Sequence, residues 1–294
     1  MRGLSANRWA ESTHAEAAWG RSRAGTARWG WSGALMGALI AAVCFAPASW
    51  LASAVSAGTQ QRFMLADARG TVWSGSAMAV LTGGPDSHDA SALPGRLNWM
   101  MRPRGLALAL RLTQDCCLNG TVEVVIKPDV GGFSAALMPT ADWIGQWPSD
   151  WLTGLGTPWN TLRLGGLARL RSSGLALESA PGRWRVAGGM NVELMHASSQ
   201  LSTLDTLGSY LLTLQGEPLG AAGAARPPLS DHSPQITLST LEGALQLSGT
   251  GSWGTDGLRF RGEALAREAD AAALNNLLNI IGRRDGARSV ISIG

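Results

Sequence analysis

Lysine occurs once in the 294 residues (Lys127), tyrosine once and phenylalanine four times, and charged residues make up only 15% of the chain. So little charge argues against a cytosolic helical enzyme, whose surface is normally rich in Lys and Glu. Motifs that carry chemistry are missing as well. The chain has no P-loop, no G-x-S-x-G elbow, no C-x-x-C and no G-x-G-x-x-G running from a strand into a helix. The usual phosphate-binding, acyl-transfer, redox and dinucleotide signatures are therefore absent, and nothing argues for catalysis, a cofactor or a metal. Glycine, at 38 residues, and tryptophan, at 13, are what the chain has in quantity. Many small side chains and few charges suit a membrane-anchored β protein.

The basic pI near 9.1 raises the question of a nucleic-acid partner. Before residue 30, Arg2, Arg8, Arg21, Arg23 and Arg28 stand against Glu11 and Glu16, a net of +3 that equals the +3 of the whole chain. Everything after that leader is neutral overall. A polyanion-binding domain carries its positive charge on the folded part, so nucleic acid is excluded as a partner.

Gly30 to Gln61 contains no charged residue, and its most apolar part runs from Ala34 to Ala54. A bilayer helix needs about 20 such residues. Trp29 and Trp31 at one edge and Trp50 near the other match interfacial aromatics, and the arginines before the span orient the N-terminus to the cytoplasm. This reading makes residues 1–30 a cytoplasmic leader, 31–56 a transmembrane helix and 57–294 an exported β-rich domain. Pro47 falls late in the span, where it kinks or ends the helix. A cleaved signal peptide is the rival reading, because Ala52-Ser53-Ala54 forms an A-x-A site. Both readings put the domain on the same side of the membrane.

Residues 63–135 and 155–266 read mainly as strands. Thr161-Leu162-Arg163-Leu164, Leu167 to Arg171, Trp184-Arg185-Val186, Val192-Glu193-Leu194 and Leu258 to Arg261 alternate apolar and polar side chains with period two. Such alternation predicts antiparallel sheet with one buried and one wet face. Turns are predicted at Gly83-Gly84-Pro85, Asp129 to Gly132, Gly165-Gly166, Gly188-Gly189 and Asp256-Gly257. A loose repeat, in which a returning strand opens on Gly-Leu at Gly105, Gly174 and Gly257, predicts hairpins laid side by side in one long sheet.

Two stretches break the alternation. Pro139 to Leu155, with Trp143, Ile144, Trp147, Trp151 and Leu152 at helical spacing, predicts short helices packed on the sheet. Glu268 to Arg284 predicts a helix with Leu274, Leu277, Leu278 and Ile281 as its apolar stripe and Arg283-Arg284 at its end. Ser289 to Ile293 then reads as a final strand, and 217–234, rich in Gly, Ala and Pro, as a loop or disordered insertion.

His88, His196 and His232 lie in different regions with no ligand-spaced neighbour, so none is a candidate metal ligand. Cys44 is a small residue in the span. Cys116 and Cys117 are adjacent in an oxidising compartment; strand geometry would point them to opposite faces, whereas a turn across Asp115 to Asn119 would permit a vicinal disulfide. The alternative is a pair of free or mixed-state thiols.

Particular strings then carry weight together. Gly70-Thr71-Val72-Trp73-Ser74-Gly75, Gly156-Thr157-Pro158-Trp159-Asn160-Thr161-Leu162, Ser199 to Leu204, Leu274 to Arg284 and Gly286 to Gly294 occur in that order. The set resembles the type II secretion system protein N family from the span to the C-terminus. The resemblance implies a non-enzymatic inner-membrane accessory of the machine that moves folded proteins from the periplasm to the outside. Implied partners are other inner-membrane and periplasmic components, and the outer-membrane secretin. It also implies a curved, AsmA-like β-sheet, and with it an alternative function in lipid handling. No residue-level functional motif comes with the family.

Overall fold

The computed structural model describes residues 31–129, 132–140, 142–157, 159–180, 183–219, 233–254 and 257–294. The chain divides into two compact units, Met1–Ala46 and Pro47–Gly294. In the first, helix α1 covers 31–44, and every one of its residues is exposed, Trp31, Leu35, Met36, Leu39, Ile40 and Val43 among them. Among the described residues no helix is long and apolar enough to cross a membrane.

The segment 31–56 is not one helix, contrary to the sequence expectation. Pro47 sits in an extended conformation (φ −68°, ψ 147°), and a new helix, α2 (Ala48–Gly58), starts after it. Proline has no N–H for the preceding turn and disfavours helix in the residue before it. The second half of the apolar run is therefore part of the β unit. Ala48 is buried against Ala77 and Trp99, with Leu51 packed beside them.

Sixteen strands follow among the described residues. They begin with β1 (Phe63–Gly70), β2 (Ser74–Thr82), β3 (Ala90–Ala92), β4 (Leu97–Arg104) and β5 (Ala107–Thr113). β6 (Val122–Asp129), β7 (Gly132–Leu137), β8 (Gly145–Pro148), β9 (Leu164–Ala180), β10 (Arg183–Ser199) and β11 (Gly208–Gln215) come next. β12 (Gln235–Gly243), β13 (Leu245–Gly254), β14 (Gly257–Ala266), β15 (Arg283–Asp285) and β16 (Arg288–Ile293) complete the set. A 3₁₀ turn (Ser149–Leu155) and α3 (Trp159–Leu162) precede β9, and α4 (Ala271–Ile281) precedes β15.

All strands join one antiparallel sheet. Its path is β1-β2-β4-β5-β6-β7-β9-β10-β11-β12-β13-β14-β16-β15, with β3 beside β2 and β8 beside β9. Side-by-side hairpins were the expectation, and sequential neighbours pair because each tight turn returns the chain directly onto the preceding strand. The closing pairs Gly70↔Gly75, Arg104↔Ala107, Asp129↔Gly132, Ala180↔Arg183 and Gly254↔Gly257 all lie on one rim. Pro47 bridges to Thr71 at that same rim. The 3₁₀ turn, α3 and α4 lie towards the opposite rim, because the strands they connect end there.

Register keeps the two faces distinct along the whole path. One face carries Ala77 and Ala79, Trp99, Leu110 and Leu112, Val124 and Ile126, Leu175 and Leu177, Val192 and Leu194, Tyr210 and Leu212, Leu238, Leu247 and Ile291. The other carries cross-strand ion pairs, among them Arg111–Glu123 at 3.2 Å, Arg171–Glu193 at 3.5 Å and Arg288–Glu263 at 3.0 Å. At one end of the apolar face α2 packs on β1 and β2. At the other, Leu274, Leu277 and Leu278 of α4 close over Leu207, Tyr210, Leu245 and Ala264. Between these caps Leu108, Val124, Ile126, Leu137, Leu175, Leu177 and Val186 remain half-buried.

Two predicted turns are interior to strands instead. Gly165-Gly166 lies in β9 and Gly188-Gly189 in β10, so the supposed hairpin at Gly174 is one 17-residue strand. The register gains one residue of β9 between the Gly189 and Met190 pairings, a β-bulge at Ser173. At Gly188, φ is +89° and an added Cβ would lie 2.1 Å from the Gly174 carbonyl oxygen, so only glycine fits the crossing. Because the extra residue is absorbed locally, the faces do not exchange beyond it.

The helical readings are corrected in detail too. Gly145–Pro148 of the Trp-rich stretch is a strand paired to β9, and the 3₁₀ turn starts after Pro148. The C-terminal helix stops at Ile281. Gly282 is extended, and Arg283 pairs with Val290, so the two arginines enter β15 rather than cap a helix. Of the predicted loop 217–234, residues 220–232 lie outside the described residues.

Tyr210 anchors the α4 end: its hydroxyl donates to the Leu245 carbonyl at 3.0 Å, and burial pushes its phenol pKa up. A phenol whose folded pKa is raised contributes stability that is complete below its unfolded value of about 10 and is lost as pH climbs through the folded one. Unfolding free energy should therefore fall above about pH 10, and Tyr210→Phe should flatten that decline while costing about 1 kcal/mol at neutral pH. Denaturant titrations across the alkaline range check both.

Candidate functional site

Cys116 and Cys117 sit in the turn between β5 and β6, joined by a vicinal disulfide with Cα atoms 3.7 Å apart. Cys117 is buried near Ala79 and Leu93 with Trp147 and Trp151 packed alongside, and its carbonyl accepts the Gln146 N–H at 2.8 Å. This holds β8 against the turn. His88 and His196 are exposed, and His232 lies outside the described residues. Among the described residues no group of three His, Cys, Asp or Glu is placed to hold a metal.

The strings singled out in sequence turn out to be packing devices. In the first, the Trp99 indole N–H donates to the carbonyls of Thr71 and Val72 at 3.2 and 3.1 Å, and Thr71 Oγ1 accepts the Ser74 N–H at 3.1 Å. Gly75 lets that indole lie flat: a Cβ there would be 2.6 Å from Trp99 Cζ2 and 2.5 Å from the Arg69 carbonyl oxygen. Arg96 fastens the neighbouring bulge, donating to Asp67 Oδ2 at 2.8 Å and to its carbonyl at 2.6 Å, and the pair holds the Asp67 carboxyl below the usual carboxylate range. In the string Leu274 to Arg284, the leucines of α4 are core and Arg284 donates to Asn275 Oδ1 at 3.3 Å.

The two middle strings meet, although some 40 residues apart in sequence. They border a cleft of about 660 Å³ whose lining includes Asp89, Asp150, Asn160, Arg163, Gln200 and Asp205. Asn160 Nδ2 donates to Asp89 Oδ2 at 3.0 Å, Arg163 reaches Gln200 Oε1 at 3.4 Å, and Ser199 Oγ donates to the Leu162 carbonyl at 2.6 Å. The Arg163–Gln200 and Ser199–Leu162 bonds join the two strings directly at this open cleft. Asp89 carried no signal in sequence, since its partner Asn160 is 71 residues away. A second hollow of about 640 Å³ lies at the β9–β10 bulge, beside Arg171, Asn191 and Thr213. Gly249 to Gly254, which has G-x-G-x-x-G spacing, falls within β13 and runs into β14; the Phe260 ring covers Gly249, Gly251 and Gly262.

These features define a two-faced antiparallel sheet protein, its apolar face capped by a helix at each end. The chain matches the family described as type II secretion system (T2SS), protein N over residues 61–291, and it belongs to that family. No curated protein and no solved structure matches it significantly. Membership supports an accessory role in type II secretion.

Proposed function

We propose that the protein is a non-enzymatic, inner-membrane accessory of type II secretion, with its leader in the cytoplasm and its β unit in the periplasm. The family match over 61–291 carries the secretion role. Its partners are other inner-membrane and periplasmic components of the machine, and the secretin. The fully exposed apolar α1 supports the anchor. The uncharged stretch before Pro47 is Trp29–Ala46, of which α1 covers 31–44, and a membrane anchor would draw on this stretch because the residues after Pro47 pack on the sheet. Against the rival cleaved-signal reading, cleavage at the A-x-A site Ala52-Ser53-Ala54 would remove the half of α2 that carries Ala48 and Leu51, which pack on the sheet. In the oxidising periplasm the Cys116–Cys117 bond persists.

Deleting the gene should leave export into the periplasm intact while reducing release of type II substrates outside the cell. A periplasm-dependent reporter fused after Gly294 should be active and one near residue 25 silent; the reverse pattern would sink the orientation. Recovery of a mature chain beginning after Ala54 would replace the anchor by a cleaved signal.

A second reading, lipid handling, is favoured by one observation: the half-buried apolar face running between the α2 and α4 caps. Acyl chains lie on such surfaces without unsatisfied polar groups. Unchanged secretion with altered outer-membrane permeability in the deletion strain would select this reading.

A further inference from the structure

A bond between adjacent cysteines closes a small ring that contains their own peptide bond. In an extended strand the two side chains would point to opposite faces, so the ring fits a turn and not a strand. Between β5 and β6 it sits in such a turn, where the Leu118 N–H donates to the Gln114 carbonyl at 3.3 Å. Cys116 is exposed, whereas Cys117 is 3% exposed. The ring therefore joins solvent to the packed interior.

The turn holds β8, a strand of four residues. On one side β8 pairs with β9. On the other, Cys117 and the two residues after it supply the partners. The Gln146 N–H donates to the Cys117 carbonyl at 2.8 Å, and Leu118 bridges to Gly145. The Asn119 N–H donates to the Ile144 carbonyl at 2.9 Å, and Asn119 Nδ2 to the Trp143 carbonyl at 3.1 Å. An added Cβ at Gly145 would lie 3.0 Å from the Cys117 carbonyl oxygen, so turn and strand are in close contact.

From β8 the contacts continue to the cleft. Trp147 and Trp151 pack against the cluster that contains Cys117, with ring centres 6.5 Å apart. The Trp151 indole N–H donates to the Ser91 carbonyl at 3.0 Å. Asp89 and Ala90 immediately precede Ser91, Asp150 and Thr153 lie on either side of Trp151 in sequence, and all four line the cleft.

We propose that the Cys116–Cys117 ring is a redox-operated clasp on the wall of this cleft. Closed, it fixes the turn, the turn fixes β8, and the two tryptophans pass that constraint to Asp89 and Asp150. In the periplasm proposed above the surroundings keep it closed, so opening needs a delivered dithiol reductant. One thiolate of the dithiol attacks Sγ of Cys116, forming a mixed disulfide and expelling the Cys117 thiolate, which takes up a proton. The second thiol of the reductant gives up its proton and attacks its own partner sulfur in the mixed disulfide. Cys116 leaves as a thiolate and is protonated. The dithiol is oxidised to its disulfide, and both cysteines are reduced. Cys117 remains suited to its apolar surroundings as a thiol, but the backbone is no longer confined to the turn.

The test uses the full chain in detergent micelles, with dithiothreitol as the dithiol, and reads thiol alkylation together with amide hydrogen exchange by mass spectrometry. Before reduction only Cys44 should be alkylated, and afterwards Cys116 and Cys117 as well. Reduction should quicken exchange about tenfold in segments 115–121, 143–148 and 87–92, and leave 245–266 in β13 and β14 unchanged. The Cys116→Ser, Cys117→Ala double variant should exchange like the reduced protein with or without dithiothreitol. Faster exchange at 115–121 with none at 87–92 would overturn the link to the cleft. Equal acceleration at 245–266 would make the bond a general stabiliser and overturn the clasp. Alkylation of Cys116 or Cys117 before reduction would remove the ring itself, and failure of dithiothreitol to expose them would overturn its opening. The clasp is a property of the β unit, so these outcomes stand apart from whether the periplasmic placement holds.

Discussion

Leu278→Asp should unfold or nearly unfold the α4 end of the sheet, and loss of residues 283–294 should act in the same direction. Leu278 is 1% exposed, in one cluster with Leu274, Leu277, Leu207, Tyr210, Leu245 and Ala264. An unpaired carboxylate there finds no counter-charge in that apolar cluster, and large penalties come from such buried charges. A cost of about 4 kcal/mol or more corresponds to a melting temperature lower by about 10 °C in a unit of this size. Truncation after Gly282 removes β15 and β16, leaves β14 from Phe260 to Leu265 without its partner strand, and takes Ile291 away from the α4 cluster. Exposed edges of that length also invite association. Melts of the Pro47–Gly294 unit, with and without the last twelve residues, measure both effects. Equal melting temperatures would identify the C-terminal strand pair as a recognition tail whose loss spares folding and abolishes secretion.

Gly75→Val is the second large effect. The added side chain would lie within 2.6 Å of both the Arg69 carbonyl oxygen and the Trp99 ring. One obstacle is backbone in a paired strand and cannot retreat; the other is an indole that is 4% exposed. Displacing that ring breaks its two hydrogen bonds to the β1–β2 turn and loosens Ala48 of α2 above it. Overpacking that meets backbone costs about 3 kcal/mol, with the buried donor left unpaired adding about 1–3 kcal/mol. The denaturant midpoint should drop and the tryptophan emission should shift to the red. A variant of normal stability that fails in secretion would instead make Gly70–Gly75 a contact site for another component.

Much of the sheet was readable before any coordinates. Period-two alternation at Val192-Glu193-Leu194 and Leu258 to Arg261 is a consequence of side chains pointing to alternate faces, so it survives in any antiparallel context. The α4 stripe was equally legible, because three leucines one turn apart have to cover something. The errors share one cause. Gly165-Gly166 and Gly188-Gly189 look like turns, yet a glycine pair serves a bulge or a close crossing as readily as a turn. Arg283-Arg284 look like a helix end, yet β16 offers them backbone partners. The candidate cleft was illegible for a different reason: Asp89, Asn160 and Gln200 come together only because β2, α3 and β10 finish on one rim.

Local pattern therefore established the β class, the side-by-side hairpins, the apolar stripe of α4 and the uncharged N-terminal segment, since each depends on neighbours within a few residues. Long-range packing settled the rest. Whether Pro47 kinked a long span or ended it depended on Ala77 and Trp99, which bury Ala48 and draw the following helix onto the sheet. The bulge at Ser173 depended on the register that β10 imposes on β9. The gathering of the Gly70–Gly75, Arg104–Ala107, Asp129–Gly132, Ala180–Arg183 and Gly254–Gly257 closing pairs on one rim depended on the count of strands between them, because antiparallel pairing reverses the chain at every turn and returns every second connection to the same side.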